Sequence, residues 1–208
     1  MARRTKEEAE ATRSRILDAA ESEFQDHGVS GTSLEDIART AGVTRGAIYW
    51  HFRDKGALFE AMMDRVVLPL ETEMLRAGGP EISEPLLQVR QATMGALRAA
   101  VDDGQARRVL EIALHKVEYV DEMKGVRERR IACLVDRIQQ LAAIFERAQA
   151  AGHIRLALPA MTAALGLHAL VDGLLHNWML DTQAFDLVAT GESLVDAYFR
   201  GLQAPTPA

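Results

Sequence analysis

The chain has 208 residues, 48% of them hydrophobic and 26% charged, with a net charge of −6. That ordinary globular composition excludes a disordered or collagen-like chain. The lone cysteine, Cys133, excludes a disulfide framework and fits a reducing compartment. Few aromatics beside abundant Ala and Leu favour an all-helical fold, with room for a small domain next to a larger one. No apolar stretch follows the opening MARRTKEEAEATR, so no signal peptide is expected. The most apolar region, 160–180, is interrupted by His168, Asp172, His176 and Asn177, so no membrane partner is expected and the chain is placed in the cytoplasm. The acidic balance argues against nucleic acid only on average. Arg3, Arg4 and Lys6 gather at the start, and between 39 and 55 Arg39, Arg45, Arg53 and Lys55 face Asp54 alone, with His51 in addition.

Ile16, Leu17, Ala20 and Phe24 share one helical face and predict a first helix over about 6–27. Gly28 closes it, because glycine can take the positive φ of a helix C′ position. GVSGTS leads to a short second helix at about 34–40, with Thr32 or Ser33 as N-cap and Glu35 and Asp36 in its first turn. Gly42 permits a tight turn into a third short helix, about 44–50, capped by Thr44. A fourth helix starts near Gly56, carries Leu58, Phe59, Met62, Val66 and Leu70 on one stripe, and is expected to kink or break at Pro69. AGGPEISEP, 77–85, reads as a loop. Five more helices are expected at about 86–101, 105–120, 124–150, 159–180 and 187–202. The expected fold is therefore all-α with about nine helices. A three-helix helix-turn-helix domain at 1–55 precedes a larger helical domain at 56–208.

Residues 34–52 have the layout of a helix-turn-helix, with Ile37, Ala38, Ile48 and Phe52 placed to pack the two short helices on the first. Small residues at Gly46 and Ala47 would let the third helix approach the bases of a major groove, where Arg45 suits guanine O6 and N7. Tyr49, His51, Lys55 and the hydroxyl of Thr32 or Ser33 are candidates for phosphates on either side. An ordinary helical hairpin with a solvated basic face has the same periodicity, so the pattern alone leaves both readings open.

The stretch TSLEDIARTAGVTRGAIYWHFRDKGALFEAM resembles the DNA-binding signature of the TetR family of transcriptional regulators, through its YWHF-x-x-K element and its AGVTRG turn. The opening ARRTKEEAEATR-x-x-ILDAA and the patch EIALHKVEYVDEM at 111–123 are similar to the AcrR/TtgR-type subgroup, which represses operons for RND multidrug efflux pumps. The resemblance is near-continuous over 2–67 and patchy beyond. It implies a DNA-binding N-terminal part and a variable body that binds ligand and forms the dimer. By position it implies that Thr44, Arg45, Gly46 and Ala47 face base edges and nearby phosphates, and that Tyr49, Trp50, His51 and Lys55 contact the backbone. Arg3, Arg4 and Lys6 would lie along an adjacent groove or form a frayed tail.

The helix expected at 159–180 is apolar on two sides. Leu167, Leu170, Leu174 and Trp178 are expected to form a dimer seam with Leu187, Leu194, Val195 and Tyr198 of the last helix, giving a four-helix isologous interface. Met161, Leu165, His168, Asp172 and Leu175 are expected to face the interior. A carboxylate there is costly unless paired or wetted, so Asp172 with His168 either meets a ligand or forms a satisfied i,i+4 pair. The resemblance to TtgR-type regulators favours the ligand, because a Val171-Asp172-Gly173 segment at this place lines their pocket. Other wall candidates are Met63, Val66, Val67, Val89, Thr93, Leu110, Leu114, Leu134, Arg137 and Leu141. Each alone reads as plain core, and together they suit an adaptable apolar pocket.

No GxSxG, HExxH, P-loop or GxGxxG occurs, so no catalytic residue, cofactor or metal is expected. Cys133, in an apolar helix, reads as inert packing. The expectation is a homodimeric repressor of a multidrug efflux operon, bound to a palindromic double-stranded DNA operator and released by a lipophilic inducer. The alternatives are a TetR-type regulator of another pathway that senses a metabolite or lipid, and a helical ligand-binding protein without a DNA function.

Overall fold

The computed structural model describes residues 2–76, 84–118 and 123–203. Among them are nine α-helices: α1 (Ala2–His27), α2 (Leu34–Ala41), α3 (Arg45–His51), α4 (Lys55–Arg76), α5 (Pro85–Asp102), α6 (Gly104–His115), α7 (Lys124–Ala150), α8 (Ala160–Leu180) and α9 (Leu187–Gly201). One isolated antiparallel bridge joins Leu156 and Gln203. Most of the loop expected at 77–85, and the side chains of Arg3, Arg4 and Leu70, lie outside the described residues. Two boundaries differ from expectation. Helix α4 runs unbroken across Pro69, tolerating the one missing N–H donor. Helix α6 stops at His115 rather than near 120, and the Lys116 carbonyl beyond it accepts a hydrogen bond from the Val29 N–H at 2.9 Å.

The chain divides into two compact units, Met1–Val67 with Gln105–Arg130, and Leu68–Gly104 with Ile131–Ala208. In the first unit α1 packs on α2, and α2 on α3. Helices of seven or eight residues are too short to persist alone, so tertiary burial must hold them. Ile16, Leu17, Ala20 and Phe24 of α1 are buried together with Ile37 and Ala38 of α2, Ile48 of α3, and Phe52, Leu58, Phe59 and Met62. Each of the Ile, Leu, Phe and Met side chains among them contributes about 1.5–3 kcal/mol. The rings of Phe24 and Phe59 lie 6.2 Å apart, and the Arg13 guanidinium sits 5.2 Å above the Phe52 ring. Helix α6 joins the same unit through a buried carboxylate. Glu21 of α1, 5% exposed, accepts hydrogen bonds from Arg108 Nε at 2.6 Å and Gln105 Nε2 at 3.1 Å.

The second unit is built on a cluster of Val89, Leu141, Ala142, Ile144, Phe145, Ala148, Ile154, Ala163, Ala164, Leu167 and Leu202. Arg90 of α5 grips Asp196 and Glu192 of α9 with its guanidinium fork. Here the two faces of α8 depart from those expected. Leu167 (2% exposed), Trp178 (5%), Leu187 and Val195 are buried within the single chain, so none of them is a surface seam, while Leu174 (8%) is buried at the wall of an open groove. Leu170 is half-buried. The side expected inside is partly open, with Met161 and Leu165 about half exposed and Asp172 exposed, while His168 and Leu175 are half-buried. The cause is close approach. Gly166 leaves room for the Tyr198 hydroxyl, which donates to the Ala163 carbonyl at 2.6 Å, and Gly191 of α9 receives the tip of Leu97. Tyr198 is thus half-buried and tied to its own chain, and Leu194 alone of the α9 candidates is exposed. Cys133 is exposed on α7 rather than packed inside.

Candidate nucleic-acid interface

Local hydrogen bonding dictates how α2 and α3 begin and end. Ser33 caps α2: its Oγ accepts the Asp36 N–H at 3.2 Å, while Asp36 accepts the Ser33 N–H and hydroxyl. Arg39 adds a bond to the same carboxylate at 2.7 Å. The Ser33 hydroxyl first, then Arg39 and the Ser33 N–H, hold the Asp36 carboxyl down at a pKa of about 2. Gly42 ends the helix with φ 64°, a conformation that costs glycine little, and its N–H bonds to the Arg39 carbonyl. The Val43 N–H bonds to the Ala38 carbonyl at 3.0 Å, closing the turn. Thr44 then caps α3 by accepting the Ala47 N–H at 3.2 Å.

Only Ile48 of α3 is buried. Thr44, Arg45, Gly46, Tyr49 and Trp50 are exposed, with Ala47 and His51 half-buried. Trp50, at 72% exposure, is the most open large hydrophobic side chain among the described residues, an arrangement that signals a partner surface. A Cβ at Gly46 would meet only the Thr44 hydroxyl oxygen, 3.8 Å away, so this side of the helix is flat and open. The His51 ring lies edge-on to Trp50 at 4.5 Å. Burial, helped by Arg13 and opposed by Glu10, pushes its pKa below the usual imidazole value, so the ring is neutral at pH 7. Arg39, Arg45 and Arg53 are exposed cations around this face.

Two residues expected to touch phosphates are interior instead. Thr32 is 2% exposed, and its hydroxyl lies 2.8 Å from the Gly28 carbonyl oxygen and 3.1 Å from that of Glu23. Lys55 is 5% exposed, and its ammonium donates to the Thr32 carbonyl at 2.9 Å. The physical reason is the end of α1. The loop after it leaves the Gly28 and Thr32 carbonyls without intrahelical donors, and these two side chains supply them. Sequence reasoning also passed over three other groups. Asp54 accepts the Ala57 N–H at 2.8 Å and caps α4, with its carboxyl lowered chiefly by that bond; its position just before a helix start was the available signal. Arg13 stacks on Phe52, and Glu23 accepts the Thr40 hydroxyl. No sequence pattern marks either pair.

The residues expected to line a ligand pocket are divided between the units. In the first, Val66 is buried, and Met63, Val67, Leu110 and Leu114 are half-buried. In the second, Val89, Thr93 and Leu141 are buried, while Leu134, Arg137, His168 and Val171 are half-buried. Val89, Leu141 and Val171 belong to one apolar cluster, and the Thr93 hydroxyl is spent on the Val89 carbonyl. Burial, and then the nearby Arg137 cation, depress the His168 pKa against the pull of Asp172. Asp172 is not the buried carboxylate that was expected. Among the described residues no group of acidic, His or Cys side chains could hold a metal, and no helix is long and apolar enough to cross a membrane.

A three-helix unit with a capped, outward-turned third helix is the architecture of a helix-turn-helix DNA-binding regulator. Residues 16–62 match the family described as bacterial regulatory proteins, tetR family, and residues 84–204 match the C-terminal region of the MAATS-type transcriptional repressors. The chain is 39% identical over 197 residues to the HTH-type transcriptional regulator TtgR of Pseudomonas putida, covering 94% of this chain and 93% of TtgR. Its structure is similar to NalD, the secondary repressor of the MexAB-OprM multidrug efflux pump in Pseudomonas aeruginosa, with a TM-score of 0.86, 36% identity and coverage of 95% and 98%. It is likewise similar to SmeT of Stenotrophomonas maltophilia solved with triclosan, with a TM-score of 0.85, 31% identity and coverage of 95% and 100%. The chain belongs to the TetR family and is a DNA-binding transcriptional regulator, not an enzyme. Regulators of this family bind operator DNA and small-molecule ligands, and the homodimer is their typical assembly.

The capping geometry of α2 is open to titration. A carboxyl with a folded pKa below its unfolded value stabilises the fold fully above pH 4, and the contribution is lost as the pH falls toward about 2. Carbon-detected NMR should place the Asp36 midpoint near 2, and Ser33→Ala, which removes the largest cause, should move it up toward 3.8. A wild-type midpoint already at 3.8 contradicts the capping box.

Proposed function

We propose that this protein represses an operon for a multidrug efflux pump and is released from its operator by a lipophilic compound. The observation that carries the reading is the outward face of α3, with Arg45, Tyr49 and Trp50 exposed around an open Gly46, in a chain similar to NalD and SmeT, two repressors of multidrug efflux pumps. Residues 1–55 form the DNA-reading domain. Thr44, Arg45, Gly46 and Ala47 face base edges, while Ser33, Trp50 and His51 face the backbone. Residues 56–208 bind the ligand and dimerise, in the cytoplasm where the operator is. The ligand lies in the second unit, among Val89, Thr93, Leu134, Leu141 and Val171, with His168 and Arg137 as its polar edge. SmeT solved with triclosan supports that chemistry.

The dimer forms through the open side of α8. Met161, Leu165 and Leu180 of α8, with Leu158 before it and Leu194 of α9, are large apolar side chains exposed to solvent. Beside them lies an open groove of about 400 Å³ lined by Ala169, Leu170, Gly173, Leu174, Asn177, Phe185 and Thr190. A second copy related by a two-fold axis would cover both, and two α3 helices so related read a palindromic operator.

Fluorescence anisotropy on a labelled fragment of the protein's own upstream region tests the regulatory reading. Binding should be sequence-selective and salt-sensitive, and saturating triclosan should weaken it at least about fivefold. Equal affinity for random DNA contradicts autorepression, and selective binding that no lipophilic drug alters contradicts the drug-sensing half.

Sedimentation separates the two sides of α8. Leu165→Glu should yield a folded monomer that no longer selects its operator. Leu167→Ala, deep in the subunit core, should instead cost about 2–5 kcal/mol of stability. A Leu165→Glu protein that stays dimeric places the seam elsewhere.

A further inference from the structure

We propose that Tyr49, with Glu35, is a positioning residue for Arg45, holding its guanidinium so that it reads a guanine edge rather than a phosphate. This rests on the reading that α3 enters the major groove.

Arg45 and Tyr49 stand one turn apart on α3. The Arg45 guanidinium carbon lies 5.5 Å from the Tyr49 ring centroid, and Nη2 donates to the Tyr49 hydroxyl at 3.1 Å. From the other side, the Glu35 carboxylate of α2 comes within 3.9 Å of Nη1. The Arg45 and Glu35 side chains are 59% and 73% exposed, so no packing presses the three groups together. They hold one another. Arginine loses much rotamer freedom whenever it is fixed on a base, and a side chain already stacked and hydrogen-bonded has lost part of it beforehand.

The direction of the choice follows from charge. A guanidinium has five N–H donors, and two suffice for guanine O6 and N7. One is committed to Tyr49, which leaves enough for the base. The neighbouring carboxylate repels a phosphate that would share the same guanidinium, because both carry full negative charge. A guanine edge carries only partial charge and meets far less repulsion. The Tyr49 hydroxyl accepts from Arg45 and so acts as an aid to base reading; the proton it keeps is the group that would anchor a phosphate if Tyr49 acted on its own.

The test uses the full-length chain. A preferred duplex is selected by the wild type from a random pool, and anisotropy is then measured on that duplex and its single base-pair variants. The proteins compared are wild type, Tyr49→Phe, Arg45→Ala and the double variant, each checked for an unchanged melting curve. Arg45→Ala should erase discrimination at one G·C pair per half-site, about tenfold or more. Tyr49→Phe keeps the ring and loses the hydroxyl, so it should reduce discrimination at that same pair several-fold and leave other positions alone. In the Arg45→Ala background it should add nothing. Uniform weakening by Tyr49→Phe on every duplex, or an equal effect with and without Arg45, overturns the proposal and makes Tyr49 an independent backbone contact. A wild type that selects no duplex overturns the groove reading itself.

Discussion

The hydrogen bond from the Lys55 ammonium to the Thr32 carbonyl is the contact on which the DNA-facing geometry depends. It joins the first residue of α4 to the residue just before the α2 cap, twenty-three positions earlier in the chain. The Thr32 hydroxyl in turn sits against the Gly28 and Glu23 carbonyls, tying the end of α1 to the same point. Ser33 then starts α2, Gly42 turns the chain, and Thr44 starts α3. With both ends of the α2–α3 segment anchored and Ile37 and Ile48 buried, the outer face of α3 has one way to point. A charged group buried without such a partner would be a severe cost, so the bond and the burial of Lys55 stand or fall together.

Most of this segment was legible in the sequence because its signals are local. A glycine after a helix, a serine three residues before an aspartate, a glycine before a threonine: each acts through bonds to its own neighbours. Gly28 and Gly42 do take positive φ, at 74° and 64°. Thr32 and Lys55 were misread for the opposite reason. As residue types they suit phosphates, and nothing local reveals that the loop carbonyls of Gly28 and Thr32 need donors. That need exists only once α1, α2 and α4 are brought together.

Helix α8 shows the same limit in another form. An apolar strip on each of two sides does not say which side is inside, and the bulkier Leu167 strip was assigned to the wrong surroundings. Two quieter signals pointed the right way. Gly166 and Ala163 mark a side where another helix can come close, and Tyr198 does so. Asp172 marks the opposite side as open, because a carboxylate is cheapest where water reaches it. The end of α6 was likewise invisible, since the Lys116 carbonyl bonds to Val29, far off in sequence. That contact belongs to the unit that carries α3, and Glu21 with Arg108 adds a second link between α1 and α6.

The most direct measurement is on Lys55→Met, which keeps an unbranched side chain, shorter by the ammonium group, and removes the donor. The buried Thr32 carbonyl is then unsatisfied, so urea unfolding should show a loss of about 1–3 kcal/mol. DNA binding per folded molecule should keep the wild-type salt dependence, because no phosphate contact has been removed. Unchanged stability, with binding weakened equally on all sequences and a salt slope smaller by about one, would make Lys55 a phosphate contact and contradict the account.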